Sequence, residues 1–175
     1  MRRFLIALIV VVVAIGVIWF MRARLEAPPP REEVPEAEKV RTVTLYYGSS
    51  DGSSLVPEVR TLPSQETELD NLRTLVEALN AGSREGGVAT IPASVRLRGV
   101  FIHDKTAVID FSDELVDDFN GGSTAEYILI SSLVQTVCGN FPQIEAVRIL
   151  VEGEETETIG GHISVAKPLE PRQWR

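Results

Sequence analysis

One uncharged apolar run, Phe4 to Met21, constrains everything that follows it. It reads FLIALIVVVVAIGVIWFM, with Arg3 before it and Arg22 after it. As a helix rising about 1.5 Å per residue it would be roughly 27 Å long, against a bilayer core of about 30 Å. Trp19 and Phe20 fall where interfacial aromatics are expected. The run is longer than the apolar stretch of a cleaved signal peptide, and Ala27, with Leu25 two residues before it and Pro28 after it, makes a poor cleavage site. The single cysteine, Cys138, is far from the position of a lipid-bearing cysteine. Residues 1–23 therefore read as an uncleaved, single-pass transmembrane signal-anchor. Arg2 and Arg3 nearly balance Arg22 and Arg24, so orientation follows from the short N-terminal tail: N-terminus in the cytoplasm, the rest extracytoplasmic.

Residues 24–39 contain PPPREEVPEAEK, which reads as a linker. Three consecutive prolines favour an extended polyproline II segment, and the Glu-rich remainder lacks the apolar residues to fold alone. Residues 40–170 are one ordinary domain, and 171–175 a C-terminal tail. From Val40 onward, 20 Asp and Glu face 11 Lys and Arg, a net −9. A domain of that charge has no footprint for phosphates, which excludes nucleic acid as a partner. It is also repelled by anionic lipid, which suits a domain held off the membrane by a spacer.

Within the domain the apolar periodicity alternates between 2 and 3.6 residues. Val43, Leu45 and Tyr47 share one face of a strand, and Gly48–Ser54 (GSSDGSS) is a turn. Leu55–Leu62 returns as a second strand, placed at an edge by Pro57, which has no N–H to donate. Leu69, Leu72, Val76 and Leu79 have helical spacing, with a capping box of Thr67 and Asp70 before them and Gly82 as the stop. Val95–Phe101 and Ala107–Phe111 form a hairpin around Asp104-Lys105. Ser112 is expected to cap a short helix. Ser123 with Glu126 reads as a second capping box, opening an apolar helix that runs from Tyr127 to Cys138. Val147, Ile149 and Val151 form a strand, Glu152–Glu157 an acidic turn, and Thr158–Val165 a last short strand. The expected fold is α+β: one mixed sheet in the order β-β-α-β-β-α-β-β, with two main helices packed on one face.

Chemistry is sparse. His103 and His162 have no partner at metal-ligand spacing, and Cys138 lies on an apolar helix where a thiol packs as a small hydrophobe. Asp110, Asp113, Glu114, Asp117 and Asp118 form the densest polar group, without the spacing or glycine of a calcium loop. No catalytic residue, cofactor site or metal site is expected. Arg96 and Arg98 lie on one strand face opposite Leu97, and Arg60 joins them if its strand pairs nearby. These three form the candidate interaction face, a cationic patch on an acidic domain.

The stretch from Val43 to Pro168 resembles a GerMN domain, the module of sporulation and germination proteins. The resemblance lies in TVTLYYG, VPEVRTLP, LRTLVEALNAG, IPASVRLRGVFIHDKTAVIDFSDEL and VRILVEGEETETIGGHISVAKPL, in that order. It implies a small domain displayed outside the membrane by an anchor or a lipid, with no family catalytic residues to carry over. It also implies work in cell-envelope assemblies, sporulation and germination machinery among them. The expected function is a membrane-anchored, non-enzymatic interaction and assembly module with an envelope protein as partner. The alternatives are a glycan- or small-ligand-binding domain, with peptidoglycan as partner, and an enzyme acting on a glycan or peptide.

Overall fold

The structure, a computed structural model, describes residues 2–25 and 39–174. The chain divides into two units, Met1–Ala37 and Glu38–Arg175. Its first unit holds, among the described residues, the helix α1 (Arg2–Leu25). From Val11 to Met21 its large apolar side chains occupy nearly consecutive positions, hence every face, and stand 52–76 % exposed. Among the described residues no helix is long and apolar enough to cross a membrane. Side chains are described from 11 to 22, about 18 Å of helix, which is short of a bilayer core. The transmembrane segment thus rests on the sequence. The linker lies almost wholly outside the described residues.

The second unit runs β1 (Val40–Gly48), β2 (Leu55–Pro63), α2 (Glu68–Asn80), β3 (Leu97–His103), β4 (Thr106–Phe111), α3 (Glu114–Asp117), α4 (Ser123–Asn140), β5 (Ala146–Val151) and β6 (Glu154–Glu155). A short 3-10 turn, Pro171–Gln173, follows. The alternation in β1 buries Val43, Leu45 and Tyr47 as its period requires. Helix α2 buries Leu72, Leu75, Val76 and Leu79, and the Thr67 hydroxyl accepts from the Asp70 N–H at 3.1 Å to cap it. Asp104 and Lys105 both take positive φ, 44° and 64°, the twist that joins β3 tightly to β4.

The expected single sheet is two. β1 and β2 form an antiparallel pair, and β3-β4-β5-β6 a mixed sheet in which β4 and β5 run parallel. The reason is visible along the free edge of β1. The Thr44 N–H donates to Asn140 Oδ1 (2.9 Å), and Asn140 Nδ2 donates to the Thr44 carbonyl (2.7 Å). The Tyr46 N–H donates to Thr136 Oγ1 (3.0 Å), and Ser132 Oγ donates to the Tyr46 carbonyl (2.5 Å). Gly48 exchanges two backbone bonds with Val88. Ser132, Thr136 and Asn140 are four residues apart, so they line one stripe of α4. That stripe serves β1 in place of a neighbouring strand, and the edge is covered rather than open to pairing. Both main helices bridge the sheets: α2 packs on β1 and β3, α4 on β1 and β5, and the two pack on each other. One core results, centred on Leu45, Tyr47, Leu75, Ile109, Phe111, Leu129, Leu133 and Ile149.

Further corrections concern local chemistry. The last strand is Glu154–Glu155, which pairs back on Val151 and Leu150 after a turn with positive φ at Glu152 and Gly153. Residues 158–165, expected as a strand, form bends instead. The N-cap of α4 is Gly122, without a side-chain bond, so Ser123 and Glu126 make no capping box. Ser112 likewise leaves α3 uncapped by its hydroxyl, which accepts from the Arg96 N–H at 2.9 Å.

Candidate functional site

The candidate arginines do not gather. Arg60 lies in β2, where Glu58, Arg60 and Leu62 point inward and Val59 and Thr61 outward. Its side chain is 6 % exposed, pairs with Glu58, and donates to the Ala78 and Gly82 carbonyls at 3.1 Å each. It thus binds the carbonyl end of α2, where a cation also favours the helix dipole. Arg96 and Arg98 stay at the surface with carboxylate partners. Arg96 meets Glu114 at 2.8 Å; Arg98, at a β-bulge, meets Asp110 at 3.2 Å and also Glu152. These arginines are balanced one by one, so the patch carries little free positive charge.

The acidic group disperses in the same way. Asp110 also accepts from the Gly153 N–H (2.8 Å), and Asp118 accepts from Ser94 Oγ (2.6 Å). The Ser112 hydroxyl, with Arg96 behind it, holds the Glu114 carboxyl below its usual range. Among the described residues no group of three or more His, Cys, Asp or Glu could hold a metal ion. His103 is 83 % exposed beside Asp104. Burial pushes the Cys138 thiol up to about 11, so it is not a thiolate at neutral pH.

Two buried carboxylates organise the loops: Glu58, which the sequence did not single out, and Glu126, which it offered only as a capping residue. Glu58, 4 % exposed, accepts from Ser83 Oγ (2.6 Å) and from the Arg84 (3.0 Å) and Glu85 (3.3 Å) N–H groups. Burial pulls its pKa upward, but Ser83, Arg60 and the two backbone donors outweigh that and hold it at about 2. The loop it grips passes so close to β1 that a Cβ on Gly87 would lie 2.7 Å from that of Tyr47. Glu126, fully buried in α4, accepts from the Ile159 (2.9 Å), Gly160 (2.8 Å) and His162 (2.9 Å) N–H groups. It replaces a ladder partner for residues 158–163, which is why they bend. A Cβ on Gly160 would come within 2.4 Å of Phe119, so the close approach needs glycine there.

A second stripe of α4 borders a groove. Tyr127, Ser131 and Gln135 are again four residues apart. Trp174 stacks against Tyr127 with ring centres 5.6 Å apart, and Gln135 Nε2 donates to the Trp174 carbonyl at 2.7 Å. With Tyr46, Ser53, Ser54, Leu55 and Ile128 they enclose about 420 Å³. The signal in the sequence was the pair of polar stripes within an apolar helix, Ser131-Gln135 beside Ser132-Thr136-Asn140.

Among the described residues Glu58, Glu126 and Arg60 hold loops and the end of α2, within an α+β domain. The chain belongs to the Germane family, described as sporulation and spore germination, whose model matches residues 44–157. Solved structures carry the same fold. The tandem GerMN domains of the sporulation protein GerM from Bacillus subtilis align with a TM-score of 0.60 at 21 % identity, over 77 % of this chain and 48 % of theirs. The first GerMN domain of that protein aligns at 0.56 and 21 %, over 75 % and 98 %. A candidate lipoprotein from Clostridium perfringens aligns at 0.56 and 24 %, over 77 % and 89 %. The chain spans about half of the tandem protein. No curated protein matches it.

Proposed function

We propose that this chain is a membrane-anchored, extracytoplasmic, non-enzymatic interaction and assembly module of the bacterial cell envelope, serving sporulation or germination machinery. The observation that carries this reading is the order of its parts. An uncharged run from Phe4 to Met21, helical and apolar on every described face, precedes a Pro/Glu-rich segment and then a separate acidic domain. An apolar side chain left in water costs about 25 cal/mol per Å², so a helix that is apolar on every face belongs in lipid or in a partner. The family description and the likeness to GerM domains support the link to sporulation. The outer face of the four-stranded sheet, with Arg98, the adjoining Arg96 and the exposed Phe101, is the proposed docking face for an envelope protein. The arginine side of each pair stays solvent-exposed, so a partner carboxylate can reach it.

A reporter that works only outside the cytoplasm, fused after Arg175, is expected to be active, and the partner is expected to be captured by crosslinking in intact cells. Arg96→Glu with Arg98→Glu should preserve folding and membrane localisation and weaken capture. Activity of a cytoplasm-only reporter at the same point would reverse the topology. Undiminished capture by the folded double variant would remove this face as the interface.

A further inference from the structure

The groove beside α4 has a composition that selects its occupant, and it goes beyond the assembly role because it needs no protein partner. Its volume, about 420 Å³, lies in the range of about 300–1,000 Å³ typical of small-molecule sites. Ile128, Ser131 and Trp174 form a floor that is 7 % exposed or less, while Tyr46, Tyr127, Ser53, Ser54, Leu55 and Gln135 form walls open to solvent. No charged side chain is among these lining residues. An ionic guest would lose hydration and find no counter-charge. A wholly apolar guest would leave the serine hydroxyls and the Gln135 carboxamide facing hydrocarbon. The walls suit a molecule with apolar faces and neutral polar edges.

We propose that this groove binds a neutral sugar ring of an oligosaccharide. The C–H face of a pyranose lies against an aromatic ring, and its hydroxyl edge exchanges bonds with neutral donors and acceptors. Tyr46, in the wall, provides the face. Ser54 offers a hydroxyl at the rim. Gln135 commits its Nε2 to the Trp174 carbonyl, which leaves its Oε1 as the group that can accept a sugar hydroxyl. In the floor, Ser131 Oγ is buried without a partner. Leaving such a group unpaired is unfavourable, and rotation about one side-chain bond brings it to a ligand oxygen. The site is rigidly framed. The backbone of Tyr46 is bonded to Ser132 and Thr136, and Trp174 is fixed on Tyr127.

The test titrates the full-length chain, in a detergent without sugar headgroups, with the neutral trimer of N-acetylglucosamine. Chemical-shift changes or calorimetric heat report binding. Saturable binding is expected, weakened at least tenfold by Tyr46→Ala and about fivefold by Ser131→Ala, the latter corresponding to one lost hydrogen bond. Tyr46→Ala removes a wall ring but not the backbone bonds to α4, so its melting temperature should stay near that of the parent. Should it not fold, Gln135→Ala takes its place, with a loss similar to that for Ser131→Ala. The cationic, de-acetylated trimer should bind more weakly than the neutral one. The proposal is overturned by absent saturable binding or by binding indifferent to these substitutions.

Discussion

Two helices of similar apolar character behave oppositely in this chain. From Val11 to Met21, α1 exposes apolar side chains on every face, whereas α4 from Glu126 to Cys138 buries or half-buries every side chain, including those of Glu126, Ser131, Ser132 and Thr136. Average hydrophobicity does not separate them. The placement of a few polar groups does. From Val11 to Met21 the side chains of α1 are apolar apart from the indole N–H of Trp19, with no polar stripe that could serve a strand or a loop. In α4 small polar residues recur every fourth position, and the Ser132-Thr136-Asn140 stripe supplies bonds that the free edge of β1 lacks. An apolar helix with a polar stripe is suited to a protein interior, because the stripe satisfies buried backbone groups while the rest excludes water.

Breaking the polar side of that comparison should have the largest effect. Glu126→Ala leaves three N–H groups without their acceptor, that of the buried Ile159 among them, and about 3–6 kcal/mol of stability should disappear in urea unfolding. A loss under 1 kcal/mol would mean that residues 158–163 hold their shape without it. On the apolar side, Leu133→Ala should cost about 2–5 kcal/mol, since the residue is wholly buried in the core. A loss near zero would remove α4 from the core. For α1, Ile15→Asp places a charge in the uncharged run. It should lower membrane retention on fractionation, in line with an insertion cost of about 2.5–3.5 kcal/mol, and leave the domain's melting temperature unchanged. Unaltered retention would show that the run is not what holds the chain.

The smallest effect sharpens the contrast between the buried acid of α4 and the one outside it. Glu58 is held at about 2, below its ordinary 4.5, so its contribution is complete above pH 4.5 and fades as pH falls toward 2. Glu58→Gln should be less stable at pH 7 and lose that part of the acid dependence. Urea midpoints measured at pH 6, 4 and 3 should therefore converge with the parent's as pH falls. Parallel curves would assign the acid sensitivity elsewhere.

Much of the architecture was legible in local pattern. Val43, Leu45 and Tyr47 declare an inward face two residues apart, Leu72, Val76 and Leu79 a helix stripe, and Thr67 with Asp70 its start. The hairpin around Asp104-Lys105 follows from alternation alone, even with a turn pair that must adopt positive φ. These features depend on neighbours within a few residues, where geometry is nearly a property of the chain itself. The apolar run of Phe4–Met21 is likewise a statement about solvent, readable without any fold.

Tertiary structure alone decided the rest. Whether β1 meets another strand or the side chains of α4 turns on contacts between residues 86 to 96 positions apart. Glu126 obeys the local rule for a capping box and is taken instead by three amides more than 30 residues away, because a buried carboxylate gains more from several donors than from one. Arg60 reads as a surface cation until the register of β2 turns it onto the end of α2. Arg96 and Arg98 read as a patch until the fold brings a carboxylate to each. The groove exists because the C-terminal Trp174 returns to Tyr127. Polar groups are satisfied by whichever partner the packed chain presents, and sequence distance says little about which one that will be.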